Sequence, residues 1–186
     1  TVRLERLVWD GAALTAGSAG QGALAESIFA GYGEGDHLLG YAVPGAGAGF
    51  ADTIKLIYGL DPEGDRVLGM KVLESRETPG LGDKIYKDLE FVGEFRALVV
   101  DPLIELIKGH GEKPNQVDAI TGATISSRAV VKILNQTNEI WRPRITAFAS
   151  QPAAAPGDPT RTAPALVPPD ADRGGPVPGG LTGEKP

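Results

Sequence analysis

The sequence predicts an α+β domain in which helices pack on a small, mostly antiparallel sheet. Short runs rich in Leu, Val and Ile, which are typical of strands, follow one another from residue 38 onward. Turn-forming residues between two of these runs favour an antiparallel hairpin. Apolar residues recur at helical spacing after residue 125, so at least one helix accompanies the sheet.

Residues 1–35 are expected to form one or two short helices. They are rich in Ala and Gly, and their apolar residues include Leu4, Leu7, Val8, Leu24, Ile28 and Phe29. Three strands are then predicted, over Leu38–Val43, Ile54–Leu60 and Val67–Leu73. Gly45–Gly49 lacks the Lys-Ser/Thr pair of a phosphate loop. It is expected to be a flexible connection, with close approach of its backbone to a ligand as the alternative.

Asp61–Asp65 separates the last two of these strands. Pro62 and Gly64 stand where a tight turn uses them, so a hairpin turn is predicted. The acidic residues of this segment are also compatible with a calcium site. The remaining ligands of a calcium loop are missing, however, and this favours the turn.

The second half of the chain is expected to add one strand and several helical pieces. A strand is predicted over residues 97–100, and residues 88–95 and 102–108 are expected to be helical or loop segments. A helix of about four turns is predicted to begin near Ser126 or Ser127, which are natural N-caps. Its helically spaced residues are Val130, Ile133, Leu134, Thr137 and Trp141.

The composition divides the chain into one domain and a tail. Nine of the 15 prolines lie after Gln151, in a stretch of 36 residues with no aromatic residue and no isoleucine. Such a stretch has too few large apolar side chains to offset its ordering entropy. Residues 1–150 are therefore predicted to form the domain, and residues 151–186 a disordered tail rich in Pro and Gly.

Charge and cysteine content exclude several classes of function. The formal net charge is −6 and there is no basic block, which argues against a nucleic-acid partner. The absence of cysteine excludes disulfides, iron–sulfur clusters and thiol nucleophiles. Two separate histidines offer little for a metal site. No apolar run approaches the roughly 18 residues that a membrane-spanning helix needs.

The first motif is Glu77-Thr78-Pro79-Gly80-Leu81-Gly82-Asp83-Lys84, shortly after the third predicted strand. Its proline and two glycines predict a tight loop that exposes backbone N–H groups and allows another group to approach the main chain. Taken alone, the loop is equally compatible with a plain turn between a strand and a helix.

The second motif is Asp118-Ala119-Ile120-Thr121-Gly122-Ala123-Thr124-Ile125-Ser126-Ser127. Thr124 is expected just before the helix N-terminus, where the small residues Gly122 and Ala123 leave room around its hydroxyl. Free N–H groups and a partial positive charge at that position would stabilise a phosphate. The alternative is that the Thr and Ser residues only cap the helix.

The pattern Asp118-x-x-Thr121-Gly122-Ala123-Thr124-x-x-Ser127 resembles the flavinylation motif of FMN-binding domains, in which the last Thr carries FMN through a phosphoester bond. The Glu77–Lys84 loop resembles the segment that precedes this motif in the G subunit of Rnf-type ion-translocating oxidoreductases. It is also similar to the C subunit of the sodium-translocating NADH:quinone reductase. The resemblance covers about residues 38–141, and Gly69–Arg76 favours the Rnf branch.

The resemblance implies a role for each matching residue. Thr124 becomes the attachment point of FMN. A separate, Mg-dependent flavin transferase would recognise the remaining positions of the second motif, which also shape the phosphate site: Asp118, Thr121, Gly122, Ala123 and Ser127. The first motif supplies candidate flavin-pocket residues: Glu77, Thr78, Pro79, Gly80, Leu81 and Lys84. No catalytic residue and no metal ligand are expected.

The resemblance also implies a setting. The chain would be an electron carrier within a membrane-bound ion-translocating complex, with the other subunits as partners, rather than an enzyme with its own soluble substrate. Its soluble domain would lie on the periplasmic or outer face of the cytoplasmic membrane. The resemblance implies an N-terminal membrane anchor, which is expected to be missing from a chain that begins with Thr1.

Two alternatives remain open from the sequence. The same motifs would serve a stand-alone or regulatory FMN-binding domain outside the cytoplasm. The chain is also compatible with a non-redox interaction module in which Thr124 is only a capping residue. A serine hydrolase is excluded, because neither Ser126 nor Ser127 lies in a Gly-x-Ser-x-Gly turn.

Overall fold

The architecture is an antiparallel sheet covered by a long helix. A computed structural model describes residues 2–17 and 26–150, and within these the main sheet has seven strands. They are β1 (Arg3–Trp9), β2 (Leu14–Ala16), β3 (Ser27–Tyr32), β4 (Leu38–Ala48), β5 (Thr53–Leu60), β6 (Arg66–Glu74) and β7 (Leu98–Val99). Their order across the sheet is β2-β1-β3-β4-β5-β6-β7, and neighbouring strands are antiparallel.

The helices and a second small sheet follow β6. The helices are α1 (Lys84–Lys87), α2 (Leu89–Glu94) and α3 (Thr124–Ala149). Strands β8 (Glu105–Ile107) and β9 (Gln116–Asp118) form a parallel pair. A short 3-10 helix, Glu34–Asp36, joins β3 to β4. The predicted α+β class with a mostly antiparallel sheet is confirmed.

The core lies between α3 and one face of the main sheet. Alternate residues of β5 are buried, among them Leu56 and Tyr58, as a strand with one covered face requires. From the helix, Ile133 and Leu134 are buried in the same cluster. The Tyr58 hydroxyl donates a hydrogen bond of 2.7 Å to Asn138 Oδ1 inside this core. These contacts fix α3 across the sheet and so fix where the helix begins.

The N-terminal prediction of short helices is wrong. Residues 3–9, 14–16 and 27–32 are strands, and β1 pairs with both β2 and β3. Leu4, Leu7 and Val8 have the spacing of one helix face, but Leu4 is exposed whereas Leu7 is buried. Pairing with β3, some twenty residues further along the chain, overrides the local pattern.

The three predicted central strands and their hairpin are confirmed, and β4 is longer than expected. Gly45–Gly49 was expected to be a flexible connection, yet residues 45–48 continue β4 and pair with β5. A Cβ on Gly47 would lie 2.7 Å from Ile133 Cγ1. The glycines are therefore explained by the close approach of α3 to the strand.

The Asp61–Asp65 turn is stabilised by its first residue. Asp61 Oδ1 accepts hydrogen bonds from the N–H groups of Asp65 and Arg66, and the Asp61 carbonyl accepts from Gly64. One acidic side chain is thus used by the turn itself, as the hairpin prediction requires.

The last predicted helix begins earlier and is longer than expected. It starts at Thr124, so Ser126 and Ser127 lie in its first turn and are not N-caps, and it has 26 residues in place of about four turns. Residues 102–108 contain β8 where a helical or loop piece was expected. Residues 89–94 are helical and 98–99 form a strand, as predicted. The predicted tail, 151–186, lies outside the described residues. Among the residues that are described, no helix is both long and apolar enough to cross a bilayer.

Candidate functional site

A cleft of about 340 Å³ lies where the first motif meets the beginning of α3. It is lined from both motifs and from the turn between β4 and β5. The lining residues are Phe50, Thr78, Leu81, Gly82, Gly122, Ala123, Thr124, Ile125 and Ser126. Two sequence motifs some 40 residues apart therefore form one site.

The start of α3 gives this cleft the chemistry of an anion site. Ala123 occupies the N-cap position, and no side chain caps the helix there. The first N–H groups of a helix have no partner within it, and together with the helix dipole they favour a negatively charged group. The sharp turn into the helix is made at Gly122, which has a φ of 83°.

Thr124 is the first residue of α3 and its side chain is half-buried in the cleft. The Thr124 hydroxyl makes no hydrogen bond to any of the described residues. Ser127 differs, because its Oγ donates to the Ala123 carbonyl at 3.0 Å and accepts from the Ile120 N–H at 3.2 Å. Ser127 therefore holds the turn before the helix, while Thr124 presents a hydroxyl to the cleft.

Two other residues of the second motif lie outside the cleft lining. Thr121 is exposed on the turn before the helix. Asp118, at the end of β9, accepts a hydrogen bond of 3.0 Å from the Gly111 N–H, and its own N–H donates to Glu94 Oε2. Burial, with a contribution from the nearby Asp118 charge, raises the pKa of Glu94. Asp118 thus helps to fold the segment that leads to the helix.

Some residues of the first motif line the cleft and others lie outside it. Thr78 and Leu81 line the cleft, whereas Pro79, Gly80 and Lys84 do not. Gly80 is exposed, with a φ of 76°, and a Cβ added to it would meet no atom within 4 Å. Its glycine is therefore explained by the backbone conformation and not by the approach of a neighbour. Lys84 is half-buried at the start of α1.

Glu77 is buried behind the cleft wall and does not line the cleft. Its Oε1 accepts hydrogen bonds of 2.9 Å from the N–H groups of Phe50 and Ala51, and its Oε2 accepts from Ser126 Oγ. Burial acts to raise the pKa of Glu77, but the hydrogen bonds from Ser126 and from backbone N–H groups outweigh it and lower that pKa. The carboxylate is therefore held in its charged form.

Four lining residues were missed by sequence reasoning: Phe50, Gly82, Ile125 and Ser126. Gly82, Ile125 and Ser126 lie inside the two motifs, so an interpretation that included every motif position would have found them. Phe50 gives no local signal. It reaches the site because the turn between β4 and β5 is hydrogen-bonded to Glu77.

A larger cleft, of about 690 Å³, lies along the C-terminal half of α3. Its lining includes Val100, Leu103 and Arg142 but no residue of either motif. The Arg142 guanidinium is already engaged by Asp65, Asp101 and the Gly64 carbonyl. The smaller cleft is therefore the candidate site.

Comparison with known proteins gives a family match that spans the cleft residues. Residues 49–139 match the model of the FMN-binding domain family, a range that includes both motifs and Phe50. The matched segment, residues 49–139, has the sequence of an FMN-binding domain. This confirms the family that the two motifs predicted.

Relatives of this FMN-binding domain include the G subunits of several complexes. It is 34% identical over 106 residues to the G subunit of the proton-translocating ferredoxin:NAD(+) oxidoreductase complex of Clostridium ljungdahlii, covering 57% of this chain and 55% of that protein. It is 40% identical over 99 residues to the G subunit of the ion-translocating oxidoreductase complex of Methanosarcina acetivorans, covering 53% and 50%. The chain thus spans about half the length of these relatives.

Two solved structures share the fold of the FMN-binding domain. NqrC of Shewanella oneidensis superimposes with a TM-score of 0.62 at 17% identity, over 78% of this chain and 84% of that one. The C subunit of the Na(+)-translocating NADH-quinone reductase of Parabacteroides distasonis gives a TM-score of 0.62 at 22% identity, over 77% of each chain. At these identities the likeness concerns the fold.

Proposed function

We propose that the chain is an electron-carrying subunit of a membrane-bound, Rnf-type ion-translocating oxidoreductase, with FMN joined to Thr124 by a phosphoester bond. One observation carries the proposal: a hydroxyl without a hydrogen-bond partner among the described residues stands at the uncapped start of a long helix, in a cleft lined by both motifs. The relatives that are G subunits support the assignment to such a complex.

The residues of the cleft fit the two ends of FMN. The first N–H groups of α3 would bind the phosphate, which suits both the charge and the donor character of a helix start. Phe50, Leu81 and Ile125 are exposed apolar side chains around the cleft, and they would contact the flat ring system. When bound, the flavin supplies reversible one- and two-electron transfer, which no side chain of this chain offers.

Attachment requires an activated donor, because a phosphoester does not form readily from a hydroxyl and a free phosphate in water. The Thr124 oxygen would form a bond to the phosphorus of a flavin nucleotide whose phosphate is part of an anhydride. The anhydride bond to the leaving nucleotide phosphate breaks, and the Thr124 proton passes to a base of the flavin transferase. The chain itself would present the hydroxyl and fold the surrounding motif.

The proposal also includes the partners of the chain and its location. Other subunits of the complex would deliver and remove electrons at the exposed edge of the cleft. The flavin transferase would act during maturation and would recognise the second motif, including Asp118 and Thr121. The domain would face the periplasm or the outer side of the cytoplasmic membrane.

Expression with and without the flavin transferase tests this function. We expect a yellow protein from the coexpression only, with a flavin spectrum that remains with the chain after denaturation and removal of small molecules. The bound flavin should be reduced and reoxidised reversibly in a redox titration. A colourless chain after coexpression, with an active transferase shown on a known substrate, would contradict the proposal and favour a non-redox interaction module.

A further inference from the structure

We infer that Glu77 is a positioning residue: its carboxylate holds the β4–β5 turn and the first turn of α3 at the spacing that presents Thr124 and the cleft to the flavin. This inference rests on the proposed function. The carboxylate, Ser126 and the N–H groups of Phe50 and Ala51 are together called the Glu77 bridge.

The Glu77 bridge connects two walls of the cleft from behind. Phe50 and Ser126 both line the cleft, on different elements, and both donate hydrogen bonds to the same carboxylate. Thr124 precedes Ser126 by two residues within the same helical turn. A displacement of Ser126 would therefore move the Thr124 hydroxyl relative to the opposite wall.

The Glu77 carboxylate is closely surrounded by other atoms of the protein. Glu77 has only 5% of its surface exposed. A Cβ on Gly49 would lie 2.4 Å from Glu77 Oε1, and one on Gly82 would lie 2.6 Å from Oε2. A side chain at either glycine would therefore displace the Glu77 carboxylate or the backbone beside it.

The centre of the Glu77 bridge is a buried carboxylate, which is a stronger acceptor than a neutral group. Three donors converge on two oxygens, and hydrogen bonds to a charged acceptor are stronger than those between neutral groups. Removing the carboxylate would leave the N–H groups of Phe50 and Ala51 without their acceptor. A glutamine keeps the shape and one acceptor oxygen, and its amide group donates to Ser126 Oγ, so it preserves the connections in weaker form.

Four variants of the full chain test the Glu77 bridge: Glu77→Ala, Glu77→Gln, Ser126→Ala, and Glu74→Ala as an exposed carboxylate control. We measure the single-turnover rate of flavin attachment by the transferase and the visible circular dichroism of the attached flavin. Glu77→Ala and Ser126→Ala should slow attachment at least about tenfold and weaken the dichroism. Glu77→Gln should keep most of the wild-type rate, and Glu74→Ala all of it.

Hydrogen exchange distinguishes loss of the Glu77 bridge from general unfolding of the variants. In Glu77→Ala the Phe50 and Ala51 amides should lose protection, whereas in Ser126→Ala they should retain it, because only Oε2 loses its donor. Attachment rates and dichroism like wild type in both Glu77→Ala and Ser126→Ala would overturn the positioning role while leaving the proposed function intact. A wild-type chain that accepts no flavin would instead contradict the proposed function, and with it the role of Glu77 towards a flavin.

Discussion

At the scale of single residues, three neighbouring hydroxyls have three different surroundings. Ser126 donates to Glu77 and Ser127 donates to the Ala123 carbonyl, so both are committed to structure. Thr124 is half-buried and lines the cleft beside the helix N–H groups. Of the three hydroxyls, only that of Thr124 could form the proposed phosphoester without breaking a described hydrogen bond.

Thr124→Ala should abolish covalent flavin and leave the fold intact. The lost hydroxyl has no hydrogen-bond partner among the described residues, so we expect a change in unfolding free energy within about 0.5 kcal/mol. Intact mass measurement of the denatured variant and urea unfolding check the two parts. Thr121→Ala is the matched comparison, for which we expect a lower yield of adduct still carried by Thr124.

Gly80→Ala should destabilise the chain without a steric clash. The φ of 76° places Gly80 in the left-handed region, where an L side chain costs about 1–2 kcal/mol, and no neighbour lies within 4 Å of the added Cβ. Gly80→Asn should cost less, because Asn tolerates this region better. Equal urea midpoints for wild type, Gly80→Ala and Gly80→Asn would contradict this explanation of the glycine.

At the scale of elements, the site depends on how closely α3 approaches the sheet. Gly45 and Gly47 on β4 face Ile133 of the helix, with no room for a side chain between them. Because the same helix carries Thr124 at its first residue, the packing of β4 against α3 also positions the site.

Gly47→Ala should destabilise the fold. The added Cβ would lie 2.7 Å from Ile133 Cγ1, and overpacking of this kind costs about 1–3 kcal/mol. Gly69→Ala on β6 is the matched control, since a Cβ there meets nothing within 4 Å. Urea unfolding of both variants gives the comparison, and a similar midpoint for the two would show that the helix is not held this closely.

The Glu77 bridge should make stability depend on pH. Because the folded state lowers the pKa of Glu77 below its ordinary value, its contribution is fully present above that ordinary value and is lost as pH falls through the folded pKa. The stability advantage of wild type over Glu77→Gln should therefore shrink as pH falls below 4.5, the ordinary pKa of a glutamate side chain. Urea unfolding at several pH values measures it, and an advantage constant with pH would argue that Glu77 is not charged in the folded state.

How well the elements could be predicted depended on the range of their contacts. The run Ile54–Leu60 was predictable because one sheet face buries every second residue of β5. β1 was missed because Leu4, Leu7 and Val8 have helical spacing and only a distant partner, β3, makes them a strand. The start of α3 was misplaced because Ser126 and Ser127, which look like caps, bond to Glu77 and Ala123.

At the scale of the whole molecule, the predicted site residues include five of the nine residues that line the cleft, but the sequence did not show how the two motifs meet. The sequence places Glu77 and Thr124 in separate segments, and only the fold shows that one supports the helix turn of the other. Phe50 is likewise held at the site by Glu77, which accepts its N–H hydrogen bond and lies 27 residues further along the chain. The fold thus brings the two motifs and the β4–β5 turn together in one cleft at the start of α3.

The most direct test of the account is to locate the flavin on the chain. The protein is coexpressed with the flavin transferase, denatured, digested and sequenced by tandem mass spectrometry, with Thr124→Ala processed in parallel. We expect one flavin phosphate adduct, on Thr124, in the peptide that spans the start of α3, and none in the variant. An adduct on another residue, or flavin that is released entirely on denaturation, would contradict the central claim.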